Sequence, residues 1–151
     1  EFRRVLFRSH DREIAKMGGW AVRAPVYAAL FGFFLFASVG LPGLSGFAGE
    51  FLVFLGAFLA NPAVAGAAAF VMVLAAVYLL WMYQRVFTGP LSSFLEGLGE
   101  HLTDISRIEA ATLAPLAVLI VVFGVAPTLL SGTFASSVAT FLGAAANWVA
   151  P

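Results

Sequence analysis

The sequence predicts an all-α integral membrane protein: three transmembrane helices, the first broken between Gly40 and Gly49, together with surface amphipathic helices. Composition makes the case first. Hydrophobic residues fill 62% of the 151 positions and charged residues only 11%, whereas roughly a quarter of a soluble globular domain is charged. The mean hydropathy is +0.98. The apolar stretches are also long enough to cross a hydrocarbon core of about 30 Å.

The same composition excludes several functions. Eight Lys and Arg against eight Asp and Glu give no net charge, so there is no basic field to hold nucleic acid. The absence of cysteine rules out disulfides and thiolate-held zinc or iron–sulfur clusters, and two isolated histidines, His10 and His101, make no metal site alone. No cofactor, metal or redox chemistry is expected in this chain. Residues 1–9, EFRRVLFRS, are the translation of GAG TTC AGA CGT GTG CTC TTC CGA TCT, a common sequencing-library adapter. They are read as foreign, so Arg3, Arg4 and Arg8 drop out of the charge pattern, and the natural polypeptide is expected to resume near His10, truncated upstream. A gene whose nucleotide sequence lacks that adapter would overturn this.

Residues 10–23 are polar and basic with a break at Gly18 and Gly19, and read as a cytoplasmic loop. Residues 24–60 contain one charge, Glu50. As one unbroken helix they would run about 55 Å, nearly twice the hydrocarbon thickness. The run GLPGLSGFAG, from Gly40 to Gly49, supplies the interruption: Pro42 removes a backbone donor and the glycines loosen the helix on both sides. Two arrangements fit, a hairpin of two spans or one span made of two half-helices. Charge placement favours the second. With a broken helix at 24–60, a second span at 62–83 and a third at 110–130, every cation after residue 9 falls on one face, as the positive-inside rule requires. The hairpin sends Arg85 and Arg107 to the face opposite Arg12, Lys16 and Arg23.

The second span is rich in Ala and Gly in its first half, as expected where helices pack closely in lipid. Trp81, Tyr83 and Arg85 read as its interfacial anchor. Residues 85–109 form a cytoplasmic amphipathic segment. Phe94, Leu95, Leu98, Leu102, Ile105 and Ile108 recur at helical steps against Glu96, Glu100, Asp104 and Arg107, which predicts a surface helix. Residues 131–151 carry no charge and are expected to lie along the outer face as a lateral helix that ends at a natural C-terminus.

Glu50 is the one residue that demands a chemical explanation. An acid near the bilayer centre costs roughly 2.5–3.5 kcal/mol to insert, a penalty usually tied to function. Desolvation works against its charged form, which suits a proton relay, and the unwound segment just before it offers backbone and water at membrane depth. The plainer alternative is an acid paired with a polar group of a missing helix. The glycine-rich run is no phosphate cradle, since it lacks the Lys-Ser/Thr ending and a preceding strand. No Ser, His and Asp constellation is formed either, because the histidines lie in the polar segments.

HDREIAKMGGWAVR with His10, Arg12 and the glycine pair, the GLPG break at Gly40 to Gly43, and SGF-x-GEF from Ser45 to Phe51 together resemble one family. It is the antiporter-like subunit family of the proton-translocating NADH:quinone oxidoreductase, respiratory complex I, and specifically the C-terminal portion of its M-type subunit. A weaker likeness continues to Asp104, Arg107 and Glu109. Related antiporter subunits typically carry lysine where this chain has Glu50, and glutamate is the mark of the M type. Asp11 departs from the family's frequent threonine. The resemblance implies a fold of fourteen helices in two inverted repeats, of which this chain would hold the last broken helix and the two that follow. It implies Glu50 as the terminal proton station, a lipid bilayer and the other membrane subunits as partners, and NADH and quinone bound elsewhere. The location implied is the inner or plasma membrane of a bacterium, with the C-terminus outside. The glutamate and lysines of the first repeat would lie upstream, so the fragment alone should not pump. The alternatives are a subunit of a multisubunit cation/proton antiporter or membrane-bound hydrogenase, and a purely structural membrane segment.

Overall fold

A computed structural model describes residues 14–97 and 103–149. His10, Asp11, Arg12, Leu98, Glu100, His101 and Leu102, named above, lie outside the described residues.

Two short 3-10 turns, Ile14–Lys16 and Trp20–Val22, lead into helix α1, Pro25–Val39. Proline at the first position needs no donor there and has its φ preset for a helix. The helix stops at Gly40, whose φ of 81° is left-handed, with the amide bonded back to the Phe36 carbonyl. After Pro42 and Gly43 the chain passes through an extended Leu44 and resumes as α2, Ser45–Ala60. At 15 and 16 residues, each half is shorter than the roughly 20 residues a span needs.

Helix α3, Pro62–Phe87, begins on a side-chain cap: the Asn61 oxygen accepts from the amides of Ala63 at 3.1 Å and Val64 at 3.4 Å. It returns alongside both halves. The Tyr83 hydroxyl donates to the Ala28 carbonyl at 3.1 Å, its ring covers Gly32, and Met72 stands level with Gly40. Eleven positions of α3 thus match twelve of α1 in the opposite sense, and α3 goes on past the break to pack along α2. So α2 continues in the direction of α1 rather than doubling back.

A short helix α4, Ser93–Gly97, then α5, Arg107–Val125, and α6, Thr128–Val149, complete the described chain. Helices α3 and α5 are each long and apolar enough to cross a membrane. Their large apolar side chains, among them Phe70, Val73, Val118 and Val125, face outward, as suits a solvent of lipid. Along α6 every residue from Thr128 to Gly143 is exposed.

Several expectations are corrected here. The second helix continues four residues beyond Tyr83, because Val86 and Phe87 are buried among Met17, Trp20 and Leu95. The segment 85–109 is not one amphipathic helix: residues 85–87 end α3, only Ser93–Gly97 is helical between Thr88 and residue 98, and residues 103–106 are loop. Ile105 and Ile108 therefore do not continue the apolar stripe, and Ile108 is 79% exposed on the first turn of α5. That helix starts at Arg107, three residues early, on a reciprocal cap in which the Glu109 amide donates to Ser106 Oγ and the Ser106 amide to Glu109 Oε2. It stops at Val125, before the Ala126-Pro127 pair, and the last helix follows from Thr128. Nor do the three anchor residues act alike. Arg85 lies 4.1 Å from the centre of the exposed Trp81 ring, but Tyr83 turns inward onto α1.

The main core, with Met17, Trp20, Ala24, Val86, Phe87 and Leu95, sits at the end of the bundle where Arg85 lies. Tyr27, Phe31, Tyr83 and Phe87 form a ring cluster, with centroids 5.0 Å apart for Phe31 and Phe87 and 4.9 Å for Tyr83 and Phe87. Such pairs contribute about 0.5–1.5 kcal/mol each beyond burial. Ser92 ties the two loops together, its amide donating to the Gly18 carbonyl at 3.0 Å and its hydroxyl to the Lys16 carbonyl at 2.5 Å. Asp104 does the same at longer range. Ala24, before α1, has no capping side chain; the Asp104 carboxylate takes the place of one, accepting from the amides of Val26 at 2.9 Å and Tyr27 at 3.0 Å.

Burial raises the Asp104 carboxyl, but the amides of Val26, Ile105 and Tyr27 outweigh it and hold it below the ordinary aspartate range. Because the folded value is depressed, the stabilisation is complete above the unfolded value of about 3.9 and is lost as pH falls through the lower folded value. Asp104→Ala is expected to weaken the α1 N-terminus by about 1 kcal/mol, the usual worth of a cap, and so to speed hydrogen exchange at Val26 and Tyr27 about fivefold at neutral pH. Unchanged exchange at both amides would show that the cap does not hold α1.

Candidate functional site

The break is narrower than the glycine pattern predicts. Gly40 and Gly43 both have positive φ and, with Pro42, complete the interruption within residues 40–44; Gly46 and Gly49 are helical. At Gly46 the missing side chain serves packing, since a Cβ there would collide with the Ala37 carbonyl. Glu50 is consequently the sixth residue of α2, not its first turn. Its carboxylate does not rest on free amides at a helix start, as the sequence suggested, but reaches back across the break to Gly40.

There the side chain is tightly placed. A Cβ on Gly40 would overlap Glu50 Oε2, and the Met72 methyl stands 3.3 Å from the same point. Glu50 as a whole is partly exposed, yet Oε2 is buried, and among the described residues it has no hydrogen-bond partner. A buried carboxylate oxygen without a donor is costly, and native structures keep such groups only for a reason. The arrangement sets one carboxyl oxygen in a closed position at the helix break, while the residue that bears it still meets solvent.

Gly40→Ala tests the backbone of this site. A left-handed φ costs an L-residue about 1–2 kcal/mol. The variant is expected to unfold at a lower temperature by a corresponding amount; an unchanged midpoint would mean that the break tolerates a side chain.

Glu50, Gly40 and Met72 are thus brought together from α2, the break and α3. Asp104, Arg107 and Glu109 are not part of this site: Asp104 caps α1, and Glu109 closes the cap with Ser106 at the start of α5. Two features escaped the sequence. Ser106-x-x-Glu109 is a capping signature that could have placed the start of α5. Met72 had no such signal, because an almost wholly apolar helix shows no face.

The chain has relatives among known proteins. Residues 3–77 match the family model described as NADH:quinone oxidoreductase/Mrp antiporter, transmembrane, a match that reaches into the nine residues read as adapter. NADH-quinone oxidoreductase subunit M of Rhodobacter capsulatus is 46% identical over 132 residues, covering 87% of this chain and 25% of the relative. The subunit M of Rickettsia conorii is 41% identical over 135 residues (89% and 27%), and that of Mycobacterium tuberculosis 42% over 123 (82% and 22%). A chain of respiratory complex I from Thermus thermophilus with bound NADH superposes with a TM-score of 0.71 at 36% identity, covering 85% of this chain and 26% of that one. The chain spans about a quarter of the length of these relatives. With an all-helical apolar fold, a helix broken at GLPG and subunit M relatives in three bacterial genera, the chain belongs to the NADH:quinone oxidoreductase/Mrp antiporter transmembrane family, in its subunit M group.

Proposed function

We propose that this chain is part of a proton-translocating membrane subunit of NADH:quinone oxidoreductase, in which Glu50 takes up and passes on a proton while electrons move in other subunits. The observation that carries this reading is the buried, unpartnered Oε2 set against a helix break. Its depth supports it. Met72 precedes Arg85 by thirteen positions, about 20 Å of helix, which puts the carboxylate well inside a core of about 30 Å.

In this reading α1 and α2 form one broken crossing, α3 the second and α5 the third. Lys16, Arg23, Arg85 and Arg107 then share the cytoplasmic end, where the loops are packed, and α6 lies on the outer side against a neighbouring subunit. Lipid and the remaining membrane subunits surround the outward apolar faces, and NADH and quinone bind elsewhere. The fourteen-helix architecture belongs to the whole subunit. Proton translocation by the full-length protein carrying Glu50→Gln, assayed in vesicles beside electron transfer, tests the proposal.

A further inference from the structure

Helix α3 has two unlike faces. Tyr83 bonds to α1, and Ala76, two turns earlier on the same face, is small and partly buried. The opposite face carries Leu74, Val77, Tyr78 and Trp81, all exposed and at helical spacing. Helices that pack on one another in lipid do so through small residues, so a face of large apolar groups suits acyl chains better than a second helix. That stripe ends one turn beyond Trp81, on the exposed Arg85. The guanidinium carbon lies 4.1 Å from the centre of the Trp81 ring. A ring over the plane of the group leaves the N–H donors along its edge free. Among the described residues none accepts from those donors and no carboxylate pairs with the charge. From Arg85 back to Leu74 the helix runs about 16 Å, roughly one leaflet of a hydrocarbon core about 30 Å thick.

We propose that Arg85 and Trp81 form a headgroup site for an anionic phospholipid, whose phosphate meets the edge of the guanidinium while an acyl chain lies along Leu74, Val77 and Tyr78. The inference rests on the reading of α3 as a membrane crossing with Arg85 at its cytoplasmic end, and not on the role of Glu50. A guanidinium edge can donate two parallel N–H bonds to one phosphate. The ring of Trp81 holds the cation in place for them. A zwitterionic headgroup brings its own cation to the phosphate, so an arginine without an acidic partner selects a lipid with net negative charge.

The test places the full-length protein in phosphatidylcholine vesicles that carry a trace of lipid with a photoreactive group in one acyl chain. That lipid is either phosphatidylglycerol or phosphatidylcholine, and peptide mass spectrometry locates the adducts. Labelling between Leu74 and Trp81 is expected with both, and about fivefold more with phosphatidylglycerol, the weight of one cation near an anionic lipid. Arg85→Gln is expected to bring the two lipids level. In the unsubstituted protein, salt at about 1 M, where the screening length is about 3 Å, should shrink the preference without any change of sequence. Equal labelling by the two lipids overturns the inference, as does a preference that survives both Arg85→Gln and salt. Absence of adducts on this stretch overturns it too, since another helix would then cover the face. The crossing reading fails separately, and takes this inference with it, if alkaline carbonate strips the full-length protein from the membrane.

Discussion

Glu50→Gln in the full-length protein is expected to abolish proton translocation through this subunit, and to slow the electron transfer coupled to it, while the assembled complex remains intact. Glutamine has the shape of protonated glutamate and fits between Gly40 and Met72 without a new cavity, so packing is preserved. What it lacks is a proton it can release. Because the packing is kept, the variant should be about as stable as the parent. That combination, full assembly with lost translocation, separates a relay from a structural acid. If Glu50 merely paired with a polar group on a helix beyond this chain, the neutral amide would disturb stability and leave translocation largely intact.

Gly124→Leu is expected to be the most damaging substitution outside the site. On α5, Gly124 faces the break itself: a Cβ there would collide with the Gly43 carbonyl and lie 2.5 Å from the Leu44 backbone. Backbone cannot yield as a side-chain tip does, and Leu44 is buried, so α5 would have to part from the two half-helices. Overpacking of this kind costs about 1–3 kcal/mol, and here it would also let water reach the break. Thermal unfolding of the full-length protein should move down accordingly, with reduced translocation. Gly132→Leu on α6, where a Cβ would meet nothing within 4 Å, is the matched control and should leave both unchanged. Equal midpoints for the two variants would show that α5 does not bear on the break.

The interruption was legible in the sequence because it follows from length and chemistry: 37 residues with a single charge exceed one crossing, and Pro42 cannot continue a hydrogen-bonded helix. Its extent was not, since Gly46 and Gly49 look like breakers but sit in helix, one of them for close contact with Ala37. The position of Glu50 inherited that error by one and a half turns. The surface segment misled for another reason. Asp104 fitted a polar stripe by spacing, but its partners are amides 77 and 78 positions away, and no local periodicity reports a contact of that range. Tyr83 likewise matched an edge anchor in composition, while the Ala28 carbonyl it bonds decides its direction.

The long-range cap also bears on how the chain is made. A ribosome delivers α1 well before Asp104, yet two of the amides of its first turn wait for that carboxylate. During synthesis those amides can be satisfied only by water, which keeps the start of α1 at the aqueous boundary as the later helices emerge. A nascent chain halted between Phe87 and Asp104 has both halves of the broken helix and the helix that lines them, but not the residue that finishes the first. A residue made after both half-helices and α3 completes the helix that leads to the break.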